Sequence, residues 1–448
     1  MSFDPRALAA VLTEPVTLDQ AHATFYRWLG DAYDADALNA VLATAAVEQL
    51  TGDPVWLLLI SGSGNAKTET VQALAGAGAT VTSTISSTGA LLSASPQRER
   101  AKDATGGLLR KLGGRGVLVI KDVTSILSMN TAMRAEVLAA LREVYDGHWS
   151  RNVGTDGGRT LDWTGRLAVI GAVTTAWDRA HDVIASMGDR FVLVRTDSTT
   201  GRVVAGRQAI ANTGTETTMR VELADAVAGV LTSVDPDADI QLNDTETEAL
   251  LAAADLVTLS RTGVDYDYRG DVIDAHAPEM PTRFAKQLTQ IVRGGMAIGM
   301  ARRDALRLTI RCARDSMPPL RLAILDDVAA HPDSTTSEVR RRLAKPRSTV
   351  DRQLQALHIL GVLACDEEEV EWTGRGATRW RYSLAKGVDP NALNARTFPD
   401  SSVHTPSPLG RGRATGPSVP VAIEVSGTDR PPVARLVDDD PQPGRNHP

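Results

Sequence analysis

Cysteine is nearly absent from this chain. Among 448 residues only Cys312 and Cys365 occur, far apart and without histidines at ligand spacing, so neither a disulfide framework nor a zinc site can be built and a reducing cytoplasm fits. Long apolar runs are missing too. The longest, from Val55 to Ile60, is far short of the roughly 20 residues that span a bilayer. The opening MSFDPRALAA has no basic segment followed by an apolar stretch, so neither a signal peptide nor a membrane helix is expected. The histidines are scattered, there is no Gly-x-Ser-x-Gly elbow, and no paired carboxylates stand at a recognisable spacing, which leaves a metabolic enzyme without support. Aromatic residues contribute only 4%, and the net charge of -7 excludes a uniformly basic nucleic-acid coat while leaving room for a locally basic face.

What is present is a globular composition, 42% hydrophobic and 23% charged, in a chain long enough for two or three domains. Residues 1–48 carry apolar and aromatic side chains at helical spacing, as in Phe25, Trp28 and Leu29, and read as a helical lead-in. From Trp56, β-type runs (WLLLIS, GVLVIKD, RLAVIGAVT, RFVLVRTD) alternate with helical segments over residues 49–203. That alternation predicts an α/β domain with a mainly parallel sheet. Residues 204–316 read as a separate helical subdomain, ending at Pro318-Pro319. Residues 317–386 give three helices and two strand-like runs around Gly374-Arg375-Gly376, the pattern of an α+β winged helix-turn-helix. Residues 387–448, rich in proline, glycine, serine and aspartate, read as a disordered tail that could recruit a protein partner.

The run Ser61-Gly62-Ser63-Gly64-Asn65-Ala66-Lys67-Thr68 follows a strand and opens a helix, where a phosphate-binding loop belongs. In that role Lys67 meets the β- and γ-phosphates of ATP and the Thr68 hydroxyl binds Mg²⁺. A plain glycine-serine turn with a surface lysine is the alternative. Asp122 ends the second apolar strand and suits a Mg²⁺ ligand, or else a cap for the next helix. Thr174 and Thr175 end the third, as hydroxyls for orienting a water or as turn residues.

In this order the motifs resemble those of AAA+ ATPases, specifically the pre-sensor-1 hairpin group that includes MCM replicative helicases and superfamily 3 helicases. MCM-type loops are similar in carrying alanine before the lysine. GVLVIKDV resembles a Walker B strand, residues Gly147 to Trp163 a pre-sensor-1 β-hairpin, and AVTT a sensor-1 strand end. Gly188-Asp189-Arg190-Phe191 resembles an arginine-finger box, and Pro281-Thr282-Arg283-Phe284 the sensor-2 start of a lid. The resemblance covers roughly residues 50–310 and extends in general look to phage and mobile-element proteins. It implies a P-loop AAA+ core with a helical lid, Thr174 as sensor 1, Arg190 reaching into a neighbour's site in a homo-oligomeric ring, and Arg283 contacting the nucleotide from the lid. It also implies Asp122 for the metal or the attacking water. There are two departures. Lys121-Asp122 replaces the usual pair of acids, and the amino-terminal zinc and OB-fold modules of MCM proteins are missing.

DNA contacts are expected in two places. Arg151 and Arg159 flank the glycine-rich hairpin tip, either to grip phosphates in a central channel or as a solvated surface. Arg340, Arg341, Arg342, Lys345, Arg347, Ser348, Thr349 and Arg352 cluster on the helix-turn-helix, with Arg375, Arg379 and Arg381 on the wing. The acidic run Asp366 to Glu369 and the use of winged helices as protein-contact modules keep an interaction role open. Two functions are carried forward. One is an ATP-hydrolysing AAA+ protein acting on DNA as helicase, translocase or loader. The other is a winged-helix regulator whose nucleotide site senses ATP without rapid turnover.

Overall fold

The computed structural model describes residues 14–94, 105–154, 157–179, 190–372 and 375–394, with the side chains of 370–377 left aside. A parallel sheet organises the first half. Its strands are β1 (Trp56–Ile60), β2 (Thr80–Thr82), β3 (Arg115–Ile120), β6 (Arg166–Val173) and β7 (Phe191–Arg195), in the order β2-β3-β6-β1-β7. A separate antiparallel pair, β4 (His148–Val153) and β5 (Arg159–Thr164), forms a hairpin between β3 and β6. Both faces of β1 are covered, which explains a continuous apolar run where a half-exposed strand would alternate. Leu57 and Leu59 enter one core, while Trp56, Leu58 and Ile60 enter a second core on the opposite face. Gly171 sits where the faces are tightest: a Cβ there would lie 2.7 Å from both Leu58 Cδ2 and Val123 Cγ2.

Helices cover both faces of the sheet. In chain order these are α1 (Leu18–Leu29), α2 (Ala35–Val47), α3 (Lys67–Gln72), α4 (Thr131–Tyr145), α5 (Arg202–Ala211), α6 (Glu216–Thr232), α7 (Asp244–Ser260), α8 (Thr282–Ala297) and α9 (Arg302–Asp315). Helix α4 belongs to the second core; α1, α2 and α6 to α9 share the first. A capping box at Thr17 and Gln20 starts α1, and Asp34 caps α2. Helix α8 crosses α2 at backbone contact, since a Cβ on Gly294 would fall 2.2 Å from the Ala43 carbonyl oxygen. The lead-in and residues 204–316 are therefore packed against one another. Within 204–316, which reads from sequence as wholly helical, the chain also forms an antiparallel hairpin, β8 (Val264–Tyr266) and β9 (Val272–Ala275).

Three more helices follow, α10 (Pro319–Ala330), α11 (Thr336–Arg342) and α12 (Arg347–Ile359). Strand β10 (Ser334–Thr335) joins the long hairpin β11 (Leu363–Trp372) and β12 (Arg375–Leu384), in the order β10-β12-β11. Val328, Val339, Val350, Leu354 and Leu357 continue the first core. Arg321 is 2% exposed and donates to the Ser260 and Thr262 carbonyls at 2.8 and 2.7 Å, closing the end of α7. In the stretch read as tail, a 3₁₀ turn at Pro390–Leu393 buries Leu393 completely; residues 395–448 lie outside the described residues. Among the described residues no helix is long and apolar enough to cross a membrane.

Candidate functional site

The loop after β1 leaves the sheet at Ser61, whose N–H donates to the Val173 carbonyl at 3.3 Å. Gly64 (φ +79°) is left-handed with nothing within 4 Å of an added Cβ, and Gly62 leaves room for Ser198 Oγ, which a Cβ would approach to 2.6 Å. Ser63 is exposed. Ala66 also holds a left-handed φ of 51°, a conformation costing an L-residue roughly 1–2 kcal/mol. Asn65 anchors the loop, its Nδ2 donating to Ser61 Oγ, Thr196 Oγ1 and the Asp197 carbonyl at 2.8 to 2.9 Å. Lys67 is 9% exposed. Its ammonium donates to the Ser61 carbonyl at 3.1 Å and to the Gly62 carbonyl. Burial lowers the Lys67 pKa, and the Asp122 charge acts in the opposite direction. Thr68 is exposed at the start of α3.

Because β3, β6 and β1 are adjacent in the sheet, their carboxyl ends bring Asp122, Thr174 and the loop to one edge. Asp122 Oδ1 accepts from the Thr124 N–H at 2.9 Å, so one carboxylate oxygen is engaged by the first backbone N–H of the helical turn Thr124–Leu127. Thr124 Oγ1 lies 3.3 Å from Thr174 Oγ1 and accepts the Thr174 N–H at 3.2 Å. Thr124, which the sequence reading passes over, is the link between the two. Among the described residues no three histidine, cysteine or acidic side chains gather as a metal site. Thr68 and Asp122 fit Mg²⁺ only in the way that ion is held beside a nucleotide, with phosphate oxygens and water completing its shell. The loop's own chemistry is of the kind that suits a phosphate: Gly64 has open space beside it, and the buried Lys67 ammonium is held by neutral carbonyls.

Beside the loop lies a cavity of about 460 Å³, walled by Trp28, Leu29, Tyr33, Ala205, Ala209 and Met219, with Asn212 among them. Tyr33 OH is 2.9 Å from Thr70 Oγ1, tying the α1–α2 turn to α3, and burial pushes its pKa above the ordinary tyrosine range. Arg220 makes a bidentate pair with Glu69, joining α6 to α3. The sequence reading assigns no chemistry to residues 1–48. The aromatic spacing there was visible, but it describes core packing equally well. A second cavity, about 950 Å³, opens between α1, α2, α8 and α9; its Arg311 is paired with Asp34, which also lines the cavity beside the loop.

Arg190 and Arg283 are brought together, but not to Lys67. Arg190 immediately precedes β7, which runs parallel to β1 with Phe191 opposite Trp56, so it lies at the amino edge of the sheet. Five residues of strand at about 3.3 Å each separate that edge from the loop. Arg190 pairs with Asp146 at 3.4 Å and stacks over the Tyr145 ring at 5.7 Å. Its pKa is lowered by burial and then by the Arg283 charge. Arg283 pairs with Glu279 at 2.9 Å, and the next turn of α8 holds the same edge, with Gln287 donating to the Arg190 carbonyl and Lys286 pairing with Asp53. Arg283, expected to contact the nucleotide from the lid, therefore stands at the sheet edge opposite to Lys67 of the same chain.

The expected DNA contacts divide. Arg151 donates to the Leu92 carbonyl at 2.9 Å and ties the β4–β5 hairpin down rather than standing at its tip. Arg159 is exposed, and the tip residues 155–156 lie outside the described residues. Arg340, Arg341, Lys345, Arg347, Ser348 and Thr349 are exposed. Arg342 pairs with Asp327 at 2.7 Å, and Arg352 donates to the Arg269 carbonyl at 2.9 Å. On the wing, Glu368 pairs with Arg381 at 2.8 Å and reaches Arg379 at 3.8 Å, so one carboxylate offsets part of the charge of two of the three expected wing cations. Arg375 is in β12 with its side chain outside the described set.

No protein-family model matches the chain, and no curated protein matches it. Among solved structures, the apo A form of the NrS-1 C-terminal region matches over 86% of this chain and 79% of that one, at 11% identity and a TM-score of 0.26. A second structure of the same region matches over 84% and 78%, at 9% identity and a TM-score of 0.28.

Proposed function

We propose that this chain is a P-loop ATPase of the AAA+ kind that binds ATP and Mg²⁺, works as a homo-oligomer and acts on DNA as a helicase, translocase or loader in replication or mobile-element maintenance. One observation carries the reading: adjacent parallel strands deliver Lys67 and Thr68, Asp122, and Thr174 to the same sheet edge, beside a cavity that can take a nucleoside. In this role Lys67 exchanges its carbonyl partners for phosphate oxygens, Gly62 to Ala66 present backbone to them, and Thr68 and Asp122 hold the metal. Mg²⁺ supplies charge neutralisation on the phosphates. Asp122, engaged at one oxygen, keeps the other for the metal or the attacking water, and Thr174 orients that water through Thr124. Arg190 and Arg283, side by side at the opposite edge, serve a neighbouring chain's nucleotide. The carboxy-terminal unit has the three-helix and hairpin order of a winged helix, and its basic turn supports a DNA contact.

A second reading, an ATP-sensing DNA-binding regulator, is favoured by Lys121 standing beside an Asp122 already engaged by the Thr124 N–H. ATP turnover by the wild-type chain and Lys67→Ala, with and without single- and double-stranded DNA and at several protein concentrations, separates the two. The motor predicts turnover that rises with DNA and protein concentration and falls by about a hundredfold or more in the variant. Tight ATP binding with negligible turnover selects the regulator. Unchanged turnover in Lys67→Ala sinks the assignment of this loop.

A further inference from the structure

Helix α12, the third of the carboxy-terminal unit, is covered on two sides. Val350, Leu354 and Leu357 turn inward at the spacing of one helix face and are fully buried. Ala356, about 200° around the helix from Leu354, is fully buried as well. The β8–β9 hairpin packs on α12. Its Arg269 carbonyl accepts from Arg352 at 2.9 Å, Tyr266 OH lies 3.5 Å from Gln353 Nε2, and a Cβ on Gly270 would sit 2.0 Å from the Arg352 guanidinium.

A helix with its side chains is about 10–12 Å across and already fills a major groove about 12 Å wide. One with a hairpin laid along its flank does not enter. The outward face that remains is poor in reading groups. Asp351 accepts from Thr336 at 2.9 Å and from Gln355 at 3.1 Å, so these polar groups are engaged with one another, and Ile359 ends the stripe. The turn from α11 into α12 differs. Residues 340–349 contain no acid. Arg340, Arg341, Lys345 and Arg347 are exposed there and form no ion pair among the described residues, and Ser348 and Thr349 add exposed hydroxyls.

Resting on the reading of this unit as a DNA contact, we propose that it grips duplex DNA by phosphates alone: the 340–349 turn seats on the backbone, while the β8–β9 hairpin holds α12 out of the major groove and makes binding blind to sequence. Four cations on phosphates give a slope of log affinity against log salt of up to about -3.6.

The test selects random-sequence duplexes with the full chain and with a chain in which residues 267–271 are replaced by Asn-Gly, a turn that closes a two-residue hairpin. The wild type is expected to enrich no motif and to bind unrelated duplexes within about twofold of one another. The shortened chain is expected to enrich one and bind it at least about tenfold more tightly than a scrambled duplex. A motif enriched by the wild type overturns the proposal and leaves the DNA reading standing, and this arm needs no variant. A folded shortened chain that enriches nothing overturns the role given to the hairpin. No duplex binding by either chain at low salt removes the DNA reading, and the proposal with it.

Discussion

Lys67 is a cation taken out of water and satisfied by the carbonyls of its own loop. Neutral carbonyls stabilise an ammonium less than phosphate oxygens do, so the loop is poised to exchange one for the other. Burial lowers the lysine pKa, and bound phosphate raises it again. For the proposed ATP site, binding then takes up a proton between the two values, so ATP affinity falls as pH rises through that window. Titration calorimetry across alkaline pH should show this fall in the wild type and its loss in Lys67→Arg, whose side chain stays charged. The residue types that carry this chemistry were legible in sequence because strand, glycines and lysine fall in a fixed order. Thr124 and Tyr33 were not. Each matters through a hydrogen bond to a residue distant in sequence, Thr174 and Thr70, and no local pattern encodes such a pairing.

At the scale of elements, the sheet strands could be read because burial on both faces leaves continuous apolar runs, whereas β2 is three residues long and half-buried throughout. The β8–β9 hairpin escaped for a related reason. Its strands are short, its exposed positions include Ile273, and its pairing is broken by an irregularity at Asp265 and Tyr266. Its neighbour Arg321 joins the elements on either side. A buried guanidinium that satisfies two carbonyls at the end of α7 and Gln353 on α12 locks the carboxy-terminal unit to the helices of residues 204–316. Arg321→Met keeps the stem but leaves those acceptors in an apolar setting, each costing about 1–3 kcal/mol, partly offset by the desolvation that the arginine no longer bears. A net loss of about 2–4 kcal/mol is expected in urea unfolding. An unchanged midpoint would mean that the junction is held by packing alone.

For the whole molecule, the sheet itself decides whether one chain suffices. Lys67 stands at the carboxyl edge and the Arg190–Arg283 pair at the amino edge, so these groups cannot converge on one nucleotide within a chain without breaking the parallel pairing of β1 with β7. Burial and then the Arg283 charge lower the Arg190 pKa, and the two guanidiniums, with Asp146 and Glu279 as counter-charges, form a place where an added anion is welcome. In the proposed head-to-tail assembly that anion would be the neighbour's phosphate, with every site shared between two chains. Mixing distinguishes a shared site from a private one. Lys67→Ala and Arg283→Ala should each abolish turnover alone. Combined in equal amounts they regain about a quarter of the wild-type rate, because one neighbouring pair in four joins an intact loop to an intact arginine when chains assort at random. If both arginines served their own chain, each chain in the mixture would stay inactive and no activity would return at any ratio. Rescue at the expected level that is lost on dilution would tie turnover to assembly, and place the arginine pair at the contact between chains.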